Sequence, residues 1–591
     1  MPNEIEEYSG DATPDTNAGN RKKWIACLIL LLVNLLNYMD RYTIVGVMDR
    51  LKPYFDMNDK ESGMLQTVFI VFYMIFAPLF GYLGDRYNRK ILMITGICIW
   101  IIAVFLSSFC SQEHYYLFLL CRGIVGIGEA SYSTIAPTIL SDLFSGAQRS
   151  RVFMMFYFAI PVGSGLGFIA GSHIALATDS WQWGVRFSPI IGIACLGLMI
   201  WMLEEPVRGA CEGARAQSGE EGGTLWDDIK YLASVRTYYL VSAASIAAFF
   251  SIGTMSWWTP AFIGNAYALA NNMKKVPESE LAHINLIFGI ITCMAGLLGV
   301  ATGSLVSRAW RDGKSVFKNC ATEKADVYIC AISMFLALPF LFLAIVIAQY
   351  SVNGSLVLIY FAIMSMCLNW SVNVDVLMYV VVANRRATAL AIQTLVAHLF
   401  GDATSPYIIG VLSDWLREPD VSVARTFFAL QTALYVPTFM LVIAGGFFLA
   451  ASFFVERDRK EALFQMDAPD DWQHNNPDDM EDSLLVPGSP ELVEGVVEEP
   501  APIVSGSGET SKQRPSFGSS DDNCDDIERV ESDANDSDDN VFTDDDKSTI
   551  RFEGTARPAG GAERDETSSL SDEAGEWEVQ KRGSGDEDEV L

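Results

Sequence analysis

The chain has 591 residues, half of them hydrophobic, and a formal charge of −31. One soluble domain does not reconcile those figures, so the chain reads as two kinds of polymer joined end to end. From Glu456 to Leu591 there are 40 Asp/Glu against 12 Lys/Arg, a net −28, which leaves the body before it nearly neutral and excludes the exposed basic character of a nucleic-acid binder.

A helix needs ~20 mostly apolar residues to cross ~30 Å of hydrocarbon. By that rule spans are expected near 24–47, 64–83, 91–110, 115–143, 152–178, 186–203, 238–263, 283–307, 326–350, 354–383, 388–416 and 424–455, twelve in all. The first run is too long for a cleaved signal and is followed by many like it. The longest link is polar and splits the body six plus six. The expected organisation is therefore an N-terminal tail (1–22), a first half (23–203), a linker (204–237), a second half (238–455) and an acidic tail (456–591), the last too poor in apolar residues to fold. Serines among its acids, and the sorting-like MEDSLL beginning at Met480, suit it to trafficking adaptors.

Lys and Arg in the short links fix orientation. Arg21, Lys22 and Lys23, then Arg86, Arg89 and Lys90, Arg149 and Arg151, Arg308, Arg311 and Lys314, Arg385 and Arg386, and Arg457, Arg459 and Lys460 share one side, so both termini are expected in the cytoplasm. The sequon at Asn353 then falls on the far side. The cysteines are scattered without metal-ligand spacing, so neither a metal nor a cofactor is expected.

In chain order, the first chemistry is Asp40-Arg41 near the end of span one. An ionisable residue at the membrane centre costs at least ~2.5–3.5 kcal/mol on insertion scales, which makes the pair a functional-site candidate unless it reaches the interface. Between spans two and three stands GYLGDRYNRK, residues 81–90. It matches the major facilitator signature G-x-L-x-D-R-x-x-R-[RK], and Gly81, Asp85, Arg86, Arg89 and Lys90 are assigned to a conformational lock, with Gly81 allowing close helix approach and the cations anchored at headgroups. In the matching place of the second half, Ser307 stands where the Asp is expected, which leaves that lock open to question.

Span four places Arg122 and Glu129 two helical turns apart on one face. At about 1.5 Å per residue, Asp40 lies roughly 24 Å along span one and Arg122 about 10 Å into span four from the other side, so their depths nearly coincide. A pair is expected, and Glu129 is left near the midplane without an evident partner. In span eleven His398 and Asp402 stand at i, i+4, and His398 is a proton-carrier candidate whose alternative is a neutral core histidine. Trp257 and Trp370, with Phe69, Phe72 and Trp258, are aromatic candidates for lining an apolar substrate path, with ordinary packing as the alternative. AQRSRVFMMFYFAIPVGSGLG and NRRATALAIQTLVAHLFGDATSPYIIG align with Arg149 over Arg385 and Gly165 over Gly401, an internal echo of the kind found in transporters built from parallel repeats.

At LLNYMDRYTIVGV, CRGIVGIGEASYSTIAPT, YVVVANRRATALA and HLFGDATSPYIIGVLSDW the chain resembles the Spinster family of major facilitator lipid transporters, over roughly residues 22–456. The resemblance implies an all-α membrane protein that carries lysophospholipids out of lysosomes or late endosomes with protons, or sphingosine-1-phosphate across the plasma membrane. It implies Arg122 as the headgroup cation, and Asp40 and Glu129 as coupling residues. A membrane sensor or scaffold for the acidic arm is the alternative of another class. No nucleophile–base pair, phosphate loop or metal cluster points to an enzyme.

Overall fold

The computed structural model describes residues 16–206, 225–417 and 422–467. All lie in the first of two compact units, Met1–Ser489, and the second, Pro490–Leu591, falls outside the described residues. The first half contains α1 (Thr16–Gly46), α2 (Met48–Phe55), α3 (Asp59–Arg86), α4 (Arg89–Ser107), α5 (Tyr115–Leu143), α6 (Gly146–Thr178) and α7 (Trp181–Met202). A short helix, α8 (Leu225–Ser234), belongs to the long link. The second half contains α9 (Arg236–Ala270), α10 (Glu278–Arg311), α11 (Ala325–Ile347), α12 (Val352–Cys367), α13 (Asn369–Val380), α14 (Arg386–Ala397), α15 (Ser405–Arg417), α16 (Val423–Ala433), α17 (Tyr435–Ala451) and α18 (Val455–Asp467).

Among the described residues, 11 helical stretches are long and apolar enough to cross a membrane, with α12–α13, α14–α15 and α16–α17 each running on as one span. The remaining expected span, α5, has 29 residues. It falls short in hydropathy because Arg122, Glu129 and the run from Ser131 to Thr134 dilute its apolar content. A helix that carries two buried charges is thus the one a hydropathy scan loses.

Within the first half α1 packs along α6, and α5 lies between α3 and α4; in the second, α9 and α11 both pack on α17. The halves meet along α6–α10 and α3–α15. Glycines let these seams close, and a five-residue π-helical turn, His398–Asp402, separates α14 from α15, with the Ala403 N–H donating to His398 O at 3.0 Å. Such wide turns interrupt helices mostly at functional sites.

The folded body does not stop at Glu456. α18 continues to Asp467, and its Asp458 accepts the Thr237 N–H at 2.7 Å, capping α9. Its charges pair outward, Lys324 with Glu456 at 3.4 Å and Arg459 with Glu323 at 3.2 Å. The expected disorder from 456 is therefore corrected over its first turns; the rest of the tail, the MEDSLL stretch included, lies outside the described residues. In the link, Asp228 of α8 meets Arg385 at 3.0 Å. Asn353 is exposed in the first turn of α12, while the buried hydroxyl of Ser355 donates to Ala344 O at 2.8 Å.

Candidate functional site: a buried charge cluster

Asp40 and Arg41 are neighbours on α1, so they point about 100° apart around it and meet different helices. Asp40 turns toward α4, α5 and α7. It accepts the Trp100 indole N–H at 3.1 Å and the Ser188 hydroxyl, and Arg122 Nη1 stands 3.7 Å away. Arg41 turns toward α3 and α5, where its Nη2 donates to Glu129 Oε2 at 3.1 Å. Arg122, Asp40, Glu129 and Arg41 are only 1, 1, 3 and 8% exposed, so neither member of the first pair reaches the interface.

Aromatic rings fill the space between the charges. The Phe69 ring lies between the two guanidiniums, 4.8 Å from Arg41 and 5.3 Å from Arg122. Tyr38 and Tyr73 take further faces of Arg41 at 5.0 and 5.2 Å. Gly126 makes this arrangement possible, since a Cβ there would lie 2.3 Å from Phe69 O. The cluster is two cations and two anions, neutral in sum. That balance removes much of the cost of burying each charge, although desolvation still makes such a cluster a poor source of net stability.

Pairing is incomplete. Arg41 Nε, Arg122 Nε and Glu129 Oε1 are buried without a hydrogen-bond partner, as is Gln66 Oε1. Each such group costs roughly 1–3 kcal/mol, and more when charged. The site therefore holds an anion-seeking guanidinium edge and a proton- or cation-seeking carboxylate oxygen, both in a low-dielectric setting.

The second half contributes a separate group. His398 Nδ1 lies 3.0 and 3.1 Å from the two Asp402 oxygens. Phe249 stacks edge-on to His398 at 4.6 Å and lies 5.7 Å from Trp370. Trp257 is buried in the core; its neighbour Trp258 donates to Pro406 O at 3.1 Å, tying α9 to α15. The described contacts thus join Trp370 to His398 through Phe249.

The depth argument from sequence places Asp40 beside Arg122, and the structure puts them there. It leaves Glu129 unpartnered, and the structure corrects this with Arg41. Trp100 and Ser188 escape sequence reasoning because an indole and a hydroxyl inside apolar spans carry no distinguishing signal. Among the lock residues, nothing lies within 4 Å of a Cβ added at Gly81, so the close approach expected there is not made. Arg89 is buried with Asp142 at 2.7 Å rather than anchored at headgroups, and Lys90 bonds Ile200 O at 2.9 Å. Arg86 lies 3.7 Å over the Tyr82 ring, and Asp85 is exposed. In the second half Asp326 of α11 supplies the carboxylate that position 307 lacks, accepting from Ser307 and from Arg311, the latter at 2.7 Å. Among the described residues there is no cluster of three His, Cys, Asp or Glu able to hold a metal ion.

The family profile of the Major Facilitator Superfamily matches residues 30–321. The chain is 42% identical over 451 residues to protein spinster homolog 1 of Xenopus laevis, covering 76% of this chain and 84% of that one. It is equally 42% identical over 451 residues to a Danio rerio protein named sphingosine-1-phosphate transporter, covering 76 and 87%. Its fold is similar to that of a bacterial homologue of the human lysosomal transporter Spinster solved in an inward-facing, unoccupied conformation, with TM-score 0.64, 17% identity and coverage of 74 and 98%. A D-xylose–proton symporter is similar at TM-score 0.55 and 18% identity, covering 72 and 97%.

Proposed function

The chain belongs to the Spinster family of major facilitator transporters, and from that premise we propose that it carries single-chain phospho- or sphingolipids by alternating access, coupled to protons. The observation that carries this reading is the neutral, buried cluster in which Arg122 keeps an unpaired Nε while its Nη1 stands 3.7 Å from Asp40 Oδ2. A lipid phosphate that enters between the halves takes the Arg122 guanidinium bidentately. Asp40, displaced from Arg122, then keeps the Trp100 and Ser188 donors or accepts a proton. Glu129 Oε1 is the second proton position, and the His398–Asp402 pair a third. The aromatic groups near Phe69 and Trp370 offer the chain an apolar path.

The direction is the one that the resemblance to lysosomal members of the family implies, and the cation-rich links give only the orientation of the termini. With both termini in the cytoplasm, substrate enters from the lumen of a lysosome or late endosome and leaves inward with protons. A second reading, sphingosine-1-phosphate export at the plasma membrane, is favoured by the Danio rerio relative of that name, which is as similar as the spinster homologue. Uptake by purified protein in liposomes separates the two. Labelled lysophosphatidylcholine and sphingosine-1-phosphate are each offered with and without an inward proton gradient, to wild type and Arg122→Ala. Gradient-stimulated lysophospholipid uptake that Arg122→Ala abolishes is expected. Sphingosine-1-phosphate movement indifferent to the gradient supports export instead, and equal transport of both lipids by the variant removes Arg122 from the headgroup site.

A further inference from the structure

The sequence holds a second G-x-L-x-D, Gly410-Val411-Leu412-Ser413-Asp414 on α15, with the spacing of Gly81, Leu83 and Asp85 on α3. The first copy closes α3; the second lies against the start of the same helix, at the opposite end of the bundle. There Asp414 reaches across from the second half and accepts the first two backbone N–H groups of α3, Asp59 N at 3.1 Å and Lys60 N at 2.7 Å. Those N–H groups have no intrahelical acceptor, and the positive end of the helix dipole favours a carboxylate. Asn58, the residue just before α3, accepts the third N–H, that of Glu61, at 2.8 Å, so Asp414 completes a cap that the first half provides only in part.

The contact is reciprocal. Asp59 of α3 accepts from Ser413 at 2.7 Å and Arg417 at 3.3 Å, and also from Lys52. The backbones close without side chains between them: a Cβ at Gly410 would lie 2.4 Å from Asp59 O, and one at Gly63 would lie 2.2 Å from Pro406 O. Thr67 Oγ1 adds a bond to Ala403 O at 2.5 Å. On the other seam Arg50 joins Glu278 of α10 and, at 3.2 Å, Asp179 after α6.

We propose that Asp414 is a positioning residue for transport: its carboxylate on the α3 N-terminus is the latch that holds this end of the bundle closed, and each opening at this end begins with its withdrawal. The Asp414 side chain is 16% exposed, so water replaces both partners as the halves part and the latch biases the closed state without trapping it. Arg417, bonded to both Asp414 and Asp59, keeps the carboxylate aimed at the helix. The two G-x-L-x-D copies then serve the two ends of one helix.

Hydrogen–deuterium exchange on the full chain in lipid nanodiscs tests this, without dependence on which lipid is carried. Asp414→Asn keeps the shape and one acceptor, and Asp414→Ala removes both. In Asp414→Ala the amides of residues 59–60 are expected to exchange on the order of ten- to a hundredfold faster, the loss of two charge-assisted hydrogen bonds, and Asp414→Asn should fall between it and wild type. Residues 278–282 of α10, on the other seam at the same end, should also exchange faster, while residues 80–90 at the other end of α3 become slower as the population moves to the oppositely open state. Faster exchange confined to residues 59–61 would show a local cap only and overturn the proposal, as would unchanged exchange in both variants.

Discussion

The residue that most changes the account of the site is Arg41. It sits beside the Asp40 that draws attention in the sequence, yet its partner is Glu129, and three aromatic rings hold it there. Removing one member of a buried pair leaves an uncompensated charge, a loss of about 3–5 kcal/mol. Arg41→Ala is thus expected to lower the thermal unfolding temperature in detergent well below that of wild type, and the double variant Arg41→Ala/Glu129→Gln to recover most of it. If the single variant melts with wild type, the pair contributes nothing to the fold. Trp100→Phe keeps the ring but removes a donor from Asp40; it should leave protein yield near wild type and slow lipid uptake, and unchanged uptake would remove Trp100 from the site. Depth along a helix is legible from sequence by counting residues, which is why Asp40 and Arg122 could be matched. Azimuth is not, because it depends on how α1 is rotated against α3 and α5, and this is why Arg41–Glu129 could not.

At the scale of elements, the sequence shows where helices are more readily than what ends them. Spans follow from apolar length, and His398–Asp402 from i, i+4 spacing; the π-helical turn that holds that pair carries no sequence mark beyond Gly401. Charge counting sets a boundary at Glu456, but α18 crosses it because its charged residues find specific partners on α9 and in the link just before α11. Asp458→Ala removes the cap of α9 and is expected to cost about 1 kcal/mol, read as a lowered unfolding midpoint, whereas truncation after Asp467 should leave the midpoint in place. Equal midpoints for Asp458→Ala and wild type would contradict the capping role. Ser307 and Asp326 make a related point. A motif is a requirement for a carboxylate at a place in space, and the neighbouring helix can meet it when the signature position does not.

At the scale of the whole molecule, two helical halves join along α6–α10 and α3–α15 around charged groups contributed by both. The first half contributes the Asp40–Arg122 and Arg41–Glu129 pairs, and the second the His398–Asp402 pair. This arrangement suits a carrier whose halves rock about bound substrate, and the proposed function expects transport by the body alone. Deleting residues 468–591 should therefore leave uptake per molecule in liposomes unchanged, while a scaffold role for the body would show as an output lost with the arm. Coupling of lipid to protons by the buried cluster, as proposed, can be read from proton movement recorded by a pH-sensitive dye inside the liposomes during lysophospholipid uptake. Wild type should show proton flux that starts with the lipid and stops without it, and Glu129→Gln should lose this flux together with gradient-driven uptake. Lipid uptake accompanied by the same proton flux in Glu129→Gln, or by none in wild type, would contradict it.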